Sequence, residues 1–119
     1  MMTSEEYKLN FQIPKRMKYR NKPVIIDNIR FQSIKEGNQY LKYKMLQKIG
    51  ELTFERQVKF DIAVNGVRIC AYICDFVLTW KSGNVQVVDV KSEATKKIAS
   101  YVIKKKLMKA VHDIVIFEV

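Results

Sequence analysis

From Arg56 to Lys91 apolar and polar positions alternate at the spacing of extended backbone, and two turn signals cut the run into three pieces. "RQVKFDIAV" leads to Asn65-Gly66, a pair that tolerates the positive φ angles of a tight hairpin turn. "VRICAYICDFVLTW" returns, and Ser82-Gly83-Asn84 sends "VQVVDVK" back. Upstream, "SIKEGNQYLKYKMLQKIGE" predicts a helix, with Ser33 as N-cap, Glu36 three residues on and Gly50 as the stop. Ile34, Leu41, Met45 and Ile49 form one stripe of it, and Glu36, Tyr40, Tyr43 and Gln47 the opposite one. "VIIDNIRF" before that helix reads as a short strand or turn. A lysine-rich helix from about Glu93 to Ala110 and a short apolar strand, "DIVIFEV", close the chain. The order is helix, three antiparallel strands, helix, strand, an α/β class with a mixed central sheet flanked by helices.

The first 23 residues are polar, basic and interrupted by Pro14 and Pro23, which marks 1–23 as an arm and 24–119 as a single domain. With 119 residues and 48% hydrophobic content, the chain is long enough for one modest core. No apolar run approaches the roughly 18 residues of a membrane span, and the N-terminus carries no apolar signal region, so a cytoplasmic protein without a membrane partner is expected. The net charge of +10 points to a polyanionic partner, nucleic acid before an anionic membrane. Cys70 and Cys74, four apart in one strand, read as small core hydrophobes. One histidine, His112, is too few for zinc or a Ser-His-Asp triad, and it has no partner legible in the sequence. There is no glycine-rich phosphate loop, no HExxH and no nucleophile elbow.

The chemistry sits in "CDFVLTWKSGNVQVVDVKS", where Asp75 and Asp89 interrupt two apolar strands and Lys91 follows. With a two-residue loop, Ser82-Gly83, Asp75 stands opposite Val90 and Asp89 points to the other face. With a three-residue loop, Ser82-Gly83-Asn84, Asp75 faces Lys91 and Val77 faces Asp89, and all three polar side chains share one face. Two lone buried carboxylates would lose hydration and repel, whereas around a divalent cation they form a site. An ordinary structural ion pair of Asp75 with Lys91 is the competing reading.

An acid on a first helix, then Asp, then Asp-X-Lys resembles the PD-(D/E)XK nuclease superfamily. The residues are Glu36, Asp75 and Asp89-Val90-Lys91, with Cys74 in place of the usual proline. The element order is similar to the core of that superfamily. More narrowly, "KYRNK", "FQSIKEGNQYL", "ERQVKF", "YICDFV", "VVDVKS", "KKKL" and "IVIFEV" resemble a small phage-borne family grouped with Holliday junction resolvases. The resemblance implies a metal-dependent DNA endonuclease acting as a homodimer on branched DNA, in the host cytoplasm if phage-encoded. It implies that Asp75, Asp89, the Val90 carbonyl and Glu36 bind Mg²⁺, with Mn²⁺ as an alternative. Lys91 would orient or help deprotonate the attacking water. Glu36 also has a purely local explanation, since Ser33-X-X-Glu36 is a capping box. Lys104 and Lys106 match family lysines and are expected to contact DNA phosphates, whereas Lys18, Arg20 and Lys22 of the arm would either track a phosphate backbone or pack on a second subunit. Gln57, beside Arg56 and Lys59 in its strand, is a further candidate DNA contact. A repair-type, restriction-type or transposon-end nuclease, a non-catalytic basic nucleic-acid-binding module and a phage regulatory or assembly protein stay open.

Overall fold

The structure is a computed structural model that describes residues 22–119. By internal contacts the chain forms two units, 1–37 and 38–119.

In the first unit, β1 (Val24–Ile26) and β2 (Ile29–Phe31) make a tight antiparallel hairpin where the sequence suggested only a short strand or turn. Asp27 and Asn28 occupy its two-residue turn at φ 53° and 64°, which short polar side chains accept. Helix α1 (Ile34–Lys48) starts in this unit. Gly37 is needed there, because a Cβ would stand 2.8 Å from Val24 Cγ2 and 3.0 Å from Ile26 Cδ1.

In the second unit, α1 ends as its sequence directs. Gly50 adopts φ 84°, and the Glu51 N–H reaches back to the Leu46 carbonyl at 2.9 Å, closing a Schellman turn. The sheet then follows in the order β3 (Leu52–Val64), β4 (Val67–Trp80), β5 (Val85–Asp89), β6 (Ile116–Glu118). The first three strands are antiparallel and β6 is parallel to β5, so the sheet is mixed. Asn65-Gly66 makes the β3–β4 turn, both residues with positive φ.

The lysine-rich segment is two helices rather than one. A Ser92–Thr95 capping box stabilises a single turn, α2 (Glu93–Lys96), and Ile98 then takes extended backbone before α3 (Ala99–His112). No helix of the described residues is long and apolar enough to cross a membrane.

Helices flank the sheet. Met108 and Tyr101 of α3 join Ile62, Tyr72, Cys74, Val87 and Ile116 in one buried cluster, with Val58, Phe60 and Val77 beside it. Tyr40 and Tyr43 of α1 pack on Phe54 and Phe76, with ring centroids 5.0–6.0 Å apart. The even-numbered side chains thus change layer along β3 and β4: Phe54 and Phe76 belong to α1, whereas Val58, Phe60, Tyr72 and Cys74 belong to α3. The change falls at Gln57, whose φ of 52° breaks the pleat in the row opposite Asp75.

Candidate metal and nucleic-acid site

The β4–β5 hairpin fits neither register drawn from the sequence. Its loop is Lys81-Ser82-Gly83, with Trp80 across from Asn84. The Trp80 N–H donates to the Asn84 carbonyl and the Gly83 N–H to the Trp80 carbonyl, both at 2.8 Å. Gly83 supplies φ 98°, the left-handed residue such a loop needs. The pairing Phe76 with Val88, carried one step further, sets Asp75 across from Asp89 rather than from Lys91 or Val90. The loop is still three residues long, so Asp75 and Asp89 share a face as the three-residue reading expected.

At that row the strands cease to pair through backbone alone, and the two carboxylates take over the ladder reciprocally. Asp89 Oδ1 accepts from the Asp75 N–H at 3.0 Å, and Asp75 Oδ2 accepts from the Val90 N–H at 2.9 Å. On the far side of β5, the Lys91 N–H donates to the Val119 carbonyl and the Val119 N–H to the Asp89 carbonyl. Alternation along the strand therefore turns the Val90 carbonyl toward the β4 side, where Asp75 lies. Gln57 Nε2 stands 3.5 Å from Asp75 Oδ1.

Asp89 is 1% exposed. The buried Tyr72 hydroxyl donates to its Oδ2, and Lys91 Nζ lies 3.6 Å from the same oxygen. Lys91 also sits over the Tyr101 ring, 4.6 Å from its centroid, where the π face favours the cation. Burial raises the Asp89 pKa, and the charge of Asp75 adds to that; the Tyr72 and Asp75 hydrogen bonds and Lys91 oppose it without overcoming it. Burial first, then the bond to Asp89, raises the Tyr72 phenol as well, so it stays a donor.

Glu118 completes the neighbourhood and was not legible in the sequence, because it lies on β6. The parallel register places it beside Asp89. Its carboxylate accepts from the Tyr101 hydroxyl and from Lys105 Nζ at 3.2 Å. Desolvation works against its charge, but the Tyr101 and Lys105 contacts outweigh it and lower the pKa. The only advance signal was a lone acid in an apolar terminal strand.

The structure brings together Gln57, Asp75, Asp89, Val90 and Lys91. Glu36 lies in the N-terminal unit and is buried, and it does act as a cap: its N–H donates to Ser33 Oγ at 3.1 Å and its Oε1 accepts from the Gln32 N–H at 3.3 Å. Lys106 is exposed and Lys104 half-buried on α3, while Lys22 is exposed in the N-terminal unit. Lys18 and Arg20 lie outside the described residues. Cys70 and Cys74 are both free, and burial pushes the Cys74 thiol up to about 11, so it packs as a hydrophobe. His112 does have a partner: Nε2 donates to the Asp61 carbonyl at 2.8 Å, tying the end of α3 to β3.

A family model matches residues 16–116, nearly the whole chain, and its description is "Protein of unknown function (DUF1064)". The chain belongs to that family. No curated protein and no solved structure matches it.

Among the described residues no group of three or more His, Cys, Asp or Glu side chains is set to hold a metal. Mg²⁺ asks less, since it keeps several waters and takes one or two carboxylates. Asp75 and Asp89 fit that demand, and the raised pKa of Asp89 marks a place where added positive charge relieves an electrostatic cost.

Proposed function

We propose that this chain is a Mg²⁺-dependent DNA endonuclease with a PD-(D/E)XK-like centre, acting as a homodimer on branched DNA such as a four-way junction. Mn²⁺ is the alternative ion, and the cytoplasm the expected location. The observation that carries the reading is the convergence of Asp75, Asp89 and Lys91 on one face where β4 and β5 part. A net charge of +10 supports a polyanionic substrate.

In this reading Asp75, Asp89 and the Val90 carbonyl would hold the ion. The ion supplies Lewis-acid polarisation of the phosphate and of a water molecule. Lys91 keeps a fixed ammonium beside the site through Asp89 and the Tyr101 ring, placed to orient that water and to offset charge building on the phosphate oxygens. Tyr72 holds Asp89 in one orientation from below. Lys104 and Lys106, with Lys18, Arg20 and Lys22 of the arm, engage phosphates, which positions DNA without reading its sequence. Gln57 neighbours Asp75 and serves a contact at the site's rim.

A second reading is favoured by one observation. The reciprocal hydrogen bonds of Asp75 and Asp89 give both carboxylates a structural task, which a non-catalytic basic DNA-binding module would also need. Cleavage of a labelled four-way junction beside matched duplex and single strand separates the two, with Mg²⁺ or EDTA and with wild type or Asp75→Ala. Paired nicks in the junction alone, abolished by EDTA and by the variant, are the expected result. Equal cutting of all substrates keeps the nuclease and discards the junction preference. Salt-sensitive binding without cleavage under Mg²⁺ or Mn²⁺ leaves the binding module.

A further inference from the structure

Helix α1 buries the wrong stripe for an ordinary amphipathic helix. Tyr40 and Tyr43, each 4% exposed, face the sheet, while Leu41, Met45 and Ile49 are 48%, 60% and 65% exposed. Singly exposed aliphatics are common, but these three follow one another at intervals of four. That interval makes a continuous ridge on a helix, running about 12 Å along its outer face. Contiguous apolar surface of this kind marks a contact site.

The flanks of the ridge say what covers it. Asn38 and Lys42 border one side, Lys44 and Lys48 the other, and all four are exposed. Between Asn38 and Ile49 the chain carries three lysines and no acid. A second copy would set these lysines against their own counterparts. Duplex DNA would match the lysines but would press the aliphatic ridge onto a hydrated phosphate surface. A lipid surface would match both, yet only two turns of the helix offer apolar side chains, and Asn38 lies at the border of the ridge. A helix with its own apolar i, i+4 ridge and glutamate or aspartate on its shoulders satisfies everything at once. The ridges interdigitate, and each acid meets a lysine.

We propose that the outer face of α1 is a docking surface for an acidic amphipathic helix of a partner protein, with Leu41, Met45 and, just past the helix end, Ile49 as the apolar anchors and Lys42 and Lys48 as the charge selectors. This surface is independent of the nuclease reading, because it uses no residue of the Asp75–Asp89–Lys91 site.

The test uses the full chain and two synthetic helical peptides with the same leucine ridge, one flanked by glutamate and one by lysine, read by fluorescence anisotropy. The glutamate peptide is expected to bind at least about tenfold more tightly, and Met45→Glu to remove at least about tenfold of that affinity, as for loss of an interface anchor. The double variant Lys42→Glu with Lys48→Glu is expected to reverse the preference between the peptides, a result that misfolding cannot produce. Equal or absent binding of both peptides overturns the proposal. So does self-association in sedimentation that Met45→Glu abolishes, or capture by vesicles of anionic lipid with no peptide preference. A glutamate peptide that binds with equal affinity to wild type and Met45→Glu overturns it as well.

Discussion

Asp89→Asn offers the sharpest check on the site, because stability and function should move in opposite directions. In the wild type, the Asp89 carboxyl group is held at 1% exposure beside that of Asp75. Two hydrogen bonds to a charged acceptor stabilise it by about 1.5–3 kcal/mol each, and Lys91 at 3.6 Å adds a Coulomb attraction. The raised pKa says that burial and Asp75 still prevail. The ionised form is therefore penalised more in the fold than in the unfolded chain, and a neutral isostere should be more stable than wild type at pH 7 without metal. The Tm of Asp89→Asn should accordingly lie above that of wild type at pH 7. The sign with pH follows. A carboxyl whose folded pKa is raised contributes stability that is fully present below its unfolded value and disappears as pH rises through the folded one. The gap between Asp89→Asn and wild type should thus be open at pH 7 and close near about pH 3.5, below the ordinary aspartate value. Mg²⁺ at about ten times its Kd should stabilise wild type by about 1.4 kcal/mol and leave the variant unmoved. Thermal melts followed by circular dichroism, across pH and with Mg²⁺ or EDTA, read all of this. A lower Tm for Asp89→Asn at pH 7, or a gap that persists at acid pH, refutes the electrostatic argument. No Mg²⁺ shift in wild type refutes the metal site.

Other changes probe the supports. Tyr72→Phe removes the buried donor to Asp89 and should lower stability by about 1–3 kcal/mol, measured by urea unfolding. Lys105→Met removes an ammonium that holds the Glu118 pKa down. A lowered carboxylate pKa contributes stability above the unfolded value that disappears as pH falls through the folded one, so the acid-unfolding midpoint should move to higher pH. Gln57→Gly should raise stability by up to about 1 kcal/mol, since glycine takes φ 52° without the steric cost, whereas Gln57→Val should lower it. Replacing Lys104 and Lys106 by alanine should weaken junction and duplex binding alike. It should also flatten the salt dependence by about 0.9 for each phosphate no longer neutralised, read from titrations at several salt concentrations.

Local chemistry was legible in the residues themselves. Asn65-Gly66 requires a turn with positive φ, Gly50 ends a helix, and Ser33 with Glu36 caps one, because each of these depends on neighbours a few positions away. The shared face of Asp75 and Asp89 was one of the two arrangements that alternation allowed, the one that goes with a three-residue loop. Quantities that depend on distant partners were not legible. The loop moved back by one residue, so Asp75 met Asp89 instead of Lys91. The lysine-rich helix broke after its first turn, where Lys97 closes α2 and Ile98 takes extended backbone before α3. Helix α1 turned its tyrosines inward because Phe54 and Phe76 offered aromatic edges, a preference no periodicity records. Glu118 joined Asp89 only because β6 lies parallel beside β5. Sequence by itself determined which residues can turn, cap or carry charge, since those properties belong to single side chains and short spans of backbone. The tertiary structure alone decided which of those charges meet, because that rests on register, on the break at Gln57 and on a strand pairing between segments far apart in the chain.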